Sequence, residues 1–133
     1  MKEYIGGEFA YLKKNFLKNS NKKNYIKFDW STSGRAAFFY ILNSYKKKGF
    51  KEIHLPAYIC DSLFFPVKKL GFKILFYDLD DNLNIKNEFK PNTLILLIHF
   101  FGKKIKNIEE IKKKIPKSSF VIEDYTHIFL LIV

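Results

Sequence analysis

The sequence has one cysteine, one arginine and no long hydrophobic run, and each scarcity narrows what the protein can be. The lone Cys60 cannot form an internal disulfide, which is typical of proteins in a reducing compartment. The longest apolar stretches, Leu94–Ile98 and Ile128–Val133, are far shorter than the ~20 residues that span a bilayer. The first ten residues contain acidic side chains and no hydrophobic segment, so no signal peptide is expected. We therefore predict a cytoplasmic protein with no membrane-spanning segment.

The charge is strongly of one sign, and arginine contributes almost nothing to it. The net charge is +11, which suggests a basic module that binds nucleic acid or another polyanion. Of the 24 basic residues only Arg35 is an arginine, whereas base and phosphate recognition usually relies on the bidentate arginine fork. The lysines fall in short runs at the ends or outer faces of predicted helices. We therefore favour solvated lysine faces and keep polyanion binding as the alternative.

The chain is rich in apolar residues, and its length suits a single domain. Hydrophobic residues make up 47% of the 133 positions and aromatic residues 18%, which excludes a disordered chain. Such a chain buries a substantial core but is too short for two lobes.

Short apolar strands alternate with helices along the sequence. The predicted strands are Tyr25–Trp30, Glu52–Leu55, Lys73–Tyr77, Thr93–Ile98 and Ser119–Ile122. The predicted helices are Tyr4–Leu17, Arg35–Lys48, Ile59–Leu70 (bent at Pro66) and a segment that carries Ile105, Ile108, Ile111 and Ile115. This alternation predicts an α/β fold with a mostly parallel sheet flanked by helices. Ligands of such sheets bind at the carboxyl ends of the strands.

Three groups of polar residues follow predicted strands and are candidates for a site. The turn Ser31–Arg35 combines hydroxyls, a glycine and a helix start, which predicts an anion cradle or simple N-capping. Asp124 ends the last strand, where a carboxylate can hold a protonated ring nitrogen or cap a helix. His127 follows it closely and is either a site residue or a structural histidine.

Two further strand ends carry side chains whose role the sequence leaves open. His99 comes directly after a continuous apolar strand and either lies over a ligand or packs as a cap on the sheet. Tyr58 and Cys60 follow Pro56, and an aromatic ring there either flanks a flat ligand or belongs to the core. The histidines and the cysteine lack paired ligand spacing, so we predict no metal site.

Together these segments resemble a known series of motifs. In order, the segments are Ser33-Gly34-Arg35, Leu55-Pro56-Ala57-Tyr58-Ile59-Cys60, Gly71 with Asp78-Leu79-Asp80, His99-Phe100-Phe101-Gly102 and Ile122-Glu123-Asp124-Tyr125-Thr126-His127. The series resembles the DegT/DnrJ/EryC1/StrS family of sugar aminotransferases that depend on pyridoxal phosphate. The resemblance runs from about Tyr4 to His127 and implies the front part of a fold-type I large domain.

The resemblance also implies roles for individual residues. Ser33, Gly34 and Arg35 match the loop that binds the cofactor phosphate, and Asp124 matches the aspartate that pairs with the pyridine nitrogen. His127 matches a Gln or His near the phenolic oxygen of the cofactor. The remaining expected cofactor-binding residues are Tyr58, Cys60 and His99. Cys60 stands where many relatives have an aromatic residue stacked on the ring, and Tyr58 is the candidate replacement.

One feature of the family lies beyond the matched motifs. In full-length relatives the lysine that forms the Schiff base follows the Glu-Asp motif, and a small C-terminal domain comes after it. The chain ends at Val133, so we expect residues 1–133 to be a single incomplete domain without a catalytic residue of its own. The resemblance implies a sugar-nucleotide substrate for full-length relatives. It also implies a homodimer or another partner that completes the fold.

Overall fold

The computed structural model describes residues 31–128, and four parallel strands form the centre of this part of the chain. The strands are β1 (Glu52–Pro56), β2 (Lys73–Tyr77), β3 (Leu94–Ile98) and β4 (Phe120–Asp124). They are ordered β2-β1-β3-β4, and every neighbouring pair is parallel. The predicted α/β fold with a parallel sheet is therefore confirmed. The predicted helix Tyr4–Leu17 and strand Tyr25–Trp30 lie outside the described residues.

Side chains alternate between the two faces of a strand, and apolar side chains of this sheet point to both faces. Both faces are therefore covered by helices. The side chains buried on the first face are Ile53, Leu55, Leu94, Leu96 and Ile98 of the strands, with Phe38, Leu42 and Val67 of the helices. Those buried on the second face include Tyr77, Ile95 and Leu97 of the strands, with Ile105 and Ile111. Each of these large apolar side chains stabilises the fold by roughly 1.5–3 kcal/mol relative to exposure.

In the described part of the chain, three α-helices form the outer layers. α1 (Gly34–Lys47) and α2 (Phe64–Lys69) pack on the first face, and α3 (Ile108–Lys114) packs on the second. The helix predicted from Ile59 begins later, because Asp61–Leu63 forms a 3-10 turn ahead of α2. Pro66 therefore lies in the first turn of α2, where its missing N–H costs nothing, and it does not bend the helix. Within residues 31–128, no helix is both long enough and apolar enough to cross a membrane.

The strand order reverses in the middle of the sheet, and this reversal positions the site. The chain runs outward from β1 to β2, then crosses back over β1 to form β3 and continues to β4. The crossing segment, residues 78–93, has no helix and buries Ile85 and Phe89 against the second face. Connections leave β1 and β3 in opposite directions, so a crevice opens between their carboxyl ends.

Candidate functional site

A cavity of about 250 Å³ lies at the carboxyl ends of β1, β3 and β4. Four of the predicted cofactor-binding residues line it, namely Tyr58, Cys60, Asp124 and His127. Apolar side chains, among them Ile98 and Phe100, form much of the rest of its wall. A few polar groups set in an apolar wall are typical of small-molecule sites.

Asp124 presents one fixed and one available carboxylate oxygen at this cavity. Its Oδ1 accepts hydrogen bonds from the backbone N–H of Thr126, at 2.8 Å, and from the Thr126 hydroxyl. Within residues 31–128, Oδ2 has no hydrogen-bond partner. The carboxylate is thus held in one orientation with an oxygen able to accept a hydrogen bond from a ligand N–H.

The neighbouring Glu123 points to the other face and belongs to a structural network. Its Oε1 lies 2.6 Å from Lys112 Nζ, and its Oε2 accepts a 2.6 Å hydrogen bond from the Tyr125 hydroxyl. Burial raises the pKa of Glu123, but hydrogen bonds from Lys112, Tyr125 and His99 outweigh burial and lower it. The hydrogen bond that the Tyr125 hydroxyl donates to Glu123 raises the pKa of Tyr125 to about 12.

His99 is packed beneath this network and does not line the cavity. The side chain is fully buried, its Nε2 lies 3.2 Å from Glu123 Oε2, and its Nδ1 accepts a 3.2 Å hydrogen bond from the Ile105 N–H. Its ring also lies 4.3 Å from the Tyr125 ring, centre to centre. Ile98 faces the cavity, so the following residue faces away from it. Of the two roles considered for His99, the structure shows the packed one.

The turn before α1 lies at the same edge of the sheet as Asp124. Ser33 caps α1, since its Oγ accepts a 3.1 Å hydrogen bond from the Ala36 N–H. The N–H groups of Gly34 and Arg35 are left without an intrahelical acceptor. A Cβ placed on Gly34 would lie 4.0 Å from Thr126 Oγ1, so the start of α1 adjoins the loop that fixes Asp124. The capping alternative is thus confirmed for Ser33, and anion binding stays a prediction.

The structure does not bring the Arg35 side chain to the Asp124 cavity. Arg35 and Ser33 instead line a separate open cavity of about 360 Å³ between α1 and α2, together with Phe65 and Lys69. Six of the eight predicted residues therefore divide between two separate cavities, and Gly34 and His99 line neither. Gly34, which lies between Ser33 and Arg35 in the chain, is close to Thr126 of the loop that fixes Asp124.

Tyr58, Cys60 and His127 complete the rim of the Asp124 cavity. Cys60 is exposed, and a hydrogen bond with Ser62, at 3.2 Å between Sγ and Oγ, lowers the pKa of its thiol. The Tyr58 and His127 rings lie 5.5 and 5.9 Å from the Phe100 ring, centre to centre. Tyr58 is exposed and lines the cavity, so it does not belong to the core, and its stacking on a flat ligand stays a prediction.

Sequence reasoning missed Ile98, Phe100 and Thr126. Ile98 could have been predicted, because it pairs with Asp124 in the register of β3 and β4. Paired residues of neighbouring strands lie on the same face of a sheet. No local pattern marks Thr126, whose role follows from its two hydrogen bonds to Asp124.

No protein-family model matches this chain, and no curated protein matches it either. The link to sugar aminotransferases therefore stays a prediction from the motifs, and a function has to be inferred from the cavity itself.

Proposed function

We propose that this chain binds pyridoxal phosphate in the Asp124 cavity, as a relative of the DegT/DnrJ/EryC1/StrS sugar aminotransferases. The observation that carries the proposal is the Asp124 carboxylate at the end of the parallel strand β4, where Thr126 fixes Oδ1 and no group among residues 31–128 occupies Oδ2. The start of α1 adjoins the same loop and supplies backbone N–H donors.

The residues present fit the chemistry of this cofactor. A carboxylate suits a protonated pyridine nitrogen, helix N–H groups suit a phosphate, and aromatic side chains suit a flat ring. The cavity, at about 250 Å³, is slightly smaller than the roughly 300–1,000 Å³ of typical ligand pockets. It therefore suits a single substituted ring.

Each residue then has a defined task. When bound, pyridoxal phosphate supplies an electron sink, provided that its ring nitrogen stays protonated. Asp124 keeps the proton on that nitrogen by accepting a charge-assisted hydrogen bond. The backbone N–H groups of Gly34 and Arg35 would hold the phosphate, Tyr58 would flank the ring, and His127 would lie near the phenolic oxygen.

We further propose that this 133-residue chain binds the cofactor without carrying out amino transfer. Among residues 31–128, no lysine lines the Asp124 cavity, so no amine is placed to attach the cofactor covalently. The family reaction, amino transfer to a keto-sugar nucleotide, would then require a homodimer or another partner that completes the site.

Binding of pyridoxamine 5′-phosphate tests the proposal. This compound has the ring and phosphate but no aldehyde, so it cannot react with the many surface lysines. Asp124→Asn keeps an oxygen for Thr126 but removes the charge, and we expect roughly 10- to 100-fold weaker binding in calorimetry. The exposed Asp81, changed to Asn in the crossing segment, is the matched control and should bind like the unchanged protein. Equal affinity of both variants would refute the proposed role of Asp124.

A further inference from the structure

A tight turn beside the cavity holds an aromatic residue in an unfavourable backbone conformation. Phe101 has φ 53° and Gly102 has φ 74°, and the Lys103 N–H donates a 2.9 Å hydrogen bond to the Phe100 carbonyl. Two successive residues with positive φ, closed by such a bond, form the pattern of a type I′ turn. The first central position of that turn favours Gly, Asn or Asp, because a Cβ there approaches a backbone carbonyl oxygen. Phenylalanine is a poor choice at this position.

Packing in the protein core does not explain why the turn has phenylalanine at position 101. Two other non-glycine residues between positions 31 and 128 have positive φ, namely Leu83 and Asn92. Leu83 packs against the core of the first face, and Asn is a residue type that tolerates this conformation. The Phe101 side chain, in contrast, is 62% exposed. Its ring lies 5.9 Å from the ring of the buried Phe100, centre to centre, but most of its surface is exposed, so burial contributes little to keeping the unfavourable conformation.

The turn holds this exposed ring beside two residues that line the Asp124 cavity. The Phe101 ring lies 6.3 Å from the Tyr58 ring and 6.3 Å from the His127 ring, and both of those residues line the cavity. The Gly102 N–H donates a 2.9 Å hydrogen bond to the His127 carbonyl, which fixes the turn to the loop after β4. Tyr58 is also 62% exposed, so two adjacent aromatic rings face solvent beside the opening.

We propose that Tyr58 and Phe101 form an aromatic wall that stacks on a planar aromatic ring of a ligand entering the cavity. Local conformations that oppose residue preference concentrate at functional sites, and exposed aromatic rings gain contact area by stacking. The ring belongs either to a pyridoxal-type cofactor or to the base of a nucleotide. The first source rests on the proposed function, and the second is independent of it.

Binding and melting measurements on Phe101 variants test the wall. Phe101→Asn suits the turn but removes the ring, so the melting temperature should stay the same or rise. Binding of pyridoxamine 5′-phosphate, or of uridine 5′-monophosphate, should weaken by roughly 5- to 100-fold, as expected for a lost stacking contact. Phe101→Trp restores a ring and should restore the affinity. Any binding of ribose 5-phosphate, which has no aromatic ring, should not change.

The outcomes separate the two proposals. If the unchanged protein binds only the uridine compound, and the Asn variant loses it, the wall stands and the cofactor proposal fails. If Phe101→Asn alters the binding of neither aromatic compound, the wall is overturned, and binding of pyridoxamine 5′-phosphate still leaves the cofactor proposal standing. A lower melting temperature of the Asn variant would show that the ring serves folding, and would overturn the wall. If neither aromatic compound binds, both proposals fail.

Discussion

Two adjacent carboxylates, Glu123 and Asp124, have different surroundings because they lie on opposite faces of β4. Glu123 is tied to Lys112, Tyr125 and His99 on the second face. Asp124 lies on the first face and reaches the cavity. At the scale of single residues, the face on which a side chain lies therefore separates a structural role from a candidate binding role.

Gly34 allows a residue-scale test of ligand approach, because the fold does not require a glycine there. Among residues 31–128, a Cβ on Gly34 meets only Thr126 Oγ1, at an ordinary contact distance of 4.0 Å, and the backbone has no positive φ. Gly34→Ala should leave the free energy of unfolding unchanged or raise it by up to about 1 kcal/mol. The added methyl group would obstruct a phosphate at the start of α1. We expect about tenfold weaker binding of pyridoxamine 5′-phosphate, as for one lost charge-assisted hydrogen bond.

Gly71→Ala is the matched control for this change. Gly71 has φ 68° and precedes β2, at the edge of the sheet opposite the cavity. The substitution should lower the free energy of unfolding by about 1 kcal/mol and leave binding unchanged. If Gly34→Ala destabilises the fold as much as Gly71→Ala does, Gly34 has a structural role. The idea that a glycine is needed there for the approach of a phosphate would then be refuted.

Among the elements, the crossing segment 78–93 is unusual because it covers part of the second face without a helix. Ile85 and Phe89 are its main buried side chains. Its end is attached to β1 by a 3.2 Å hydrogen bond from the Lys90 N–H to His54 Nε2. The Nε2 atom must be unprotonated to accept this bond, so the neutral form of His54 holds the segment in place.

Acidification should loosen this element. Burial lowers the pKa of His54, with Lys90 adding to the effect and Glu52 opposing it. The unfolded chain, whose histidine pKa is about 6.5, therefore binds protons more readily than the folded chain. Stability is complete above that pH and falls as the pH drops toward the lower pKa of the folded state, by about 1.4 kcal/mol for each unit of difference. Urea unfolding between pH 7 and pH 5 measures the loss.

Histidine variants identify the source of that pH dependence. His54→Gln cannot titrate, so the change in unfolding free energy between pH 7 and pH 5 should shrink. His127 is exposed, and His127→Gln should leave the pH dependence as it is in the unchanged protein. A steep pH dependence that survives His54→Gln would assign the effect to another group.

For the described part of the molecule as a whole, the basic charge is spread over both faces of the sheet. The lysine runs at the ends of helices are Lys46 and Lys47 of α1, Lys68 and Lys69 of α2, and Lys112, Lys113 and Lys114 of α3. Cations there stabilise the negative ends of the helix dipoles. Since α1 and α2 lie on the face opposite α3, these runs do not combine into one basic surface.

This distribution predicts weak and unspecific binding to polyanions. At low salt the net charge of +11 should retain the protein on a heparin column. At roughly 0.15 M salt we expect release, because counterion competition removes contacts made by scattered lysines. Retention at that salt, or a preference for one nucleic-acid sequence, would favour the polyanion-binding alternative over the cofactor site.

Much of the fold follows from the sequence, because burial leaves a local pattern. The continuous apolar run Leu94–Ile98 predicts a strand covered on both faces, and the isoleucine spacing around Ile111 predicts α3. The carboxyl ends of parallel strands meet at one edge, so the gathering of Tyr58, Cys60 and Asp124 could also be expected.

Only the tertiary structure decided which neighbouring side chains share a cavity. The parallel register that pairs Ile98 with Asp124 puts His99 on the far face. The packing of α1 against α2 takes the Arg35 side chain to a separate cavity. The turn at Phe101 depends on a hydrogen bond to the loop that carries His127. Each of these outcomes depends on contacts between segments far apart in the chain, whereas a local sequence pattern records only whether a residue is buried.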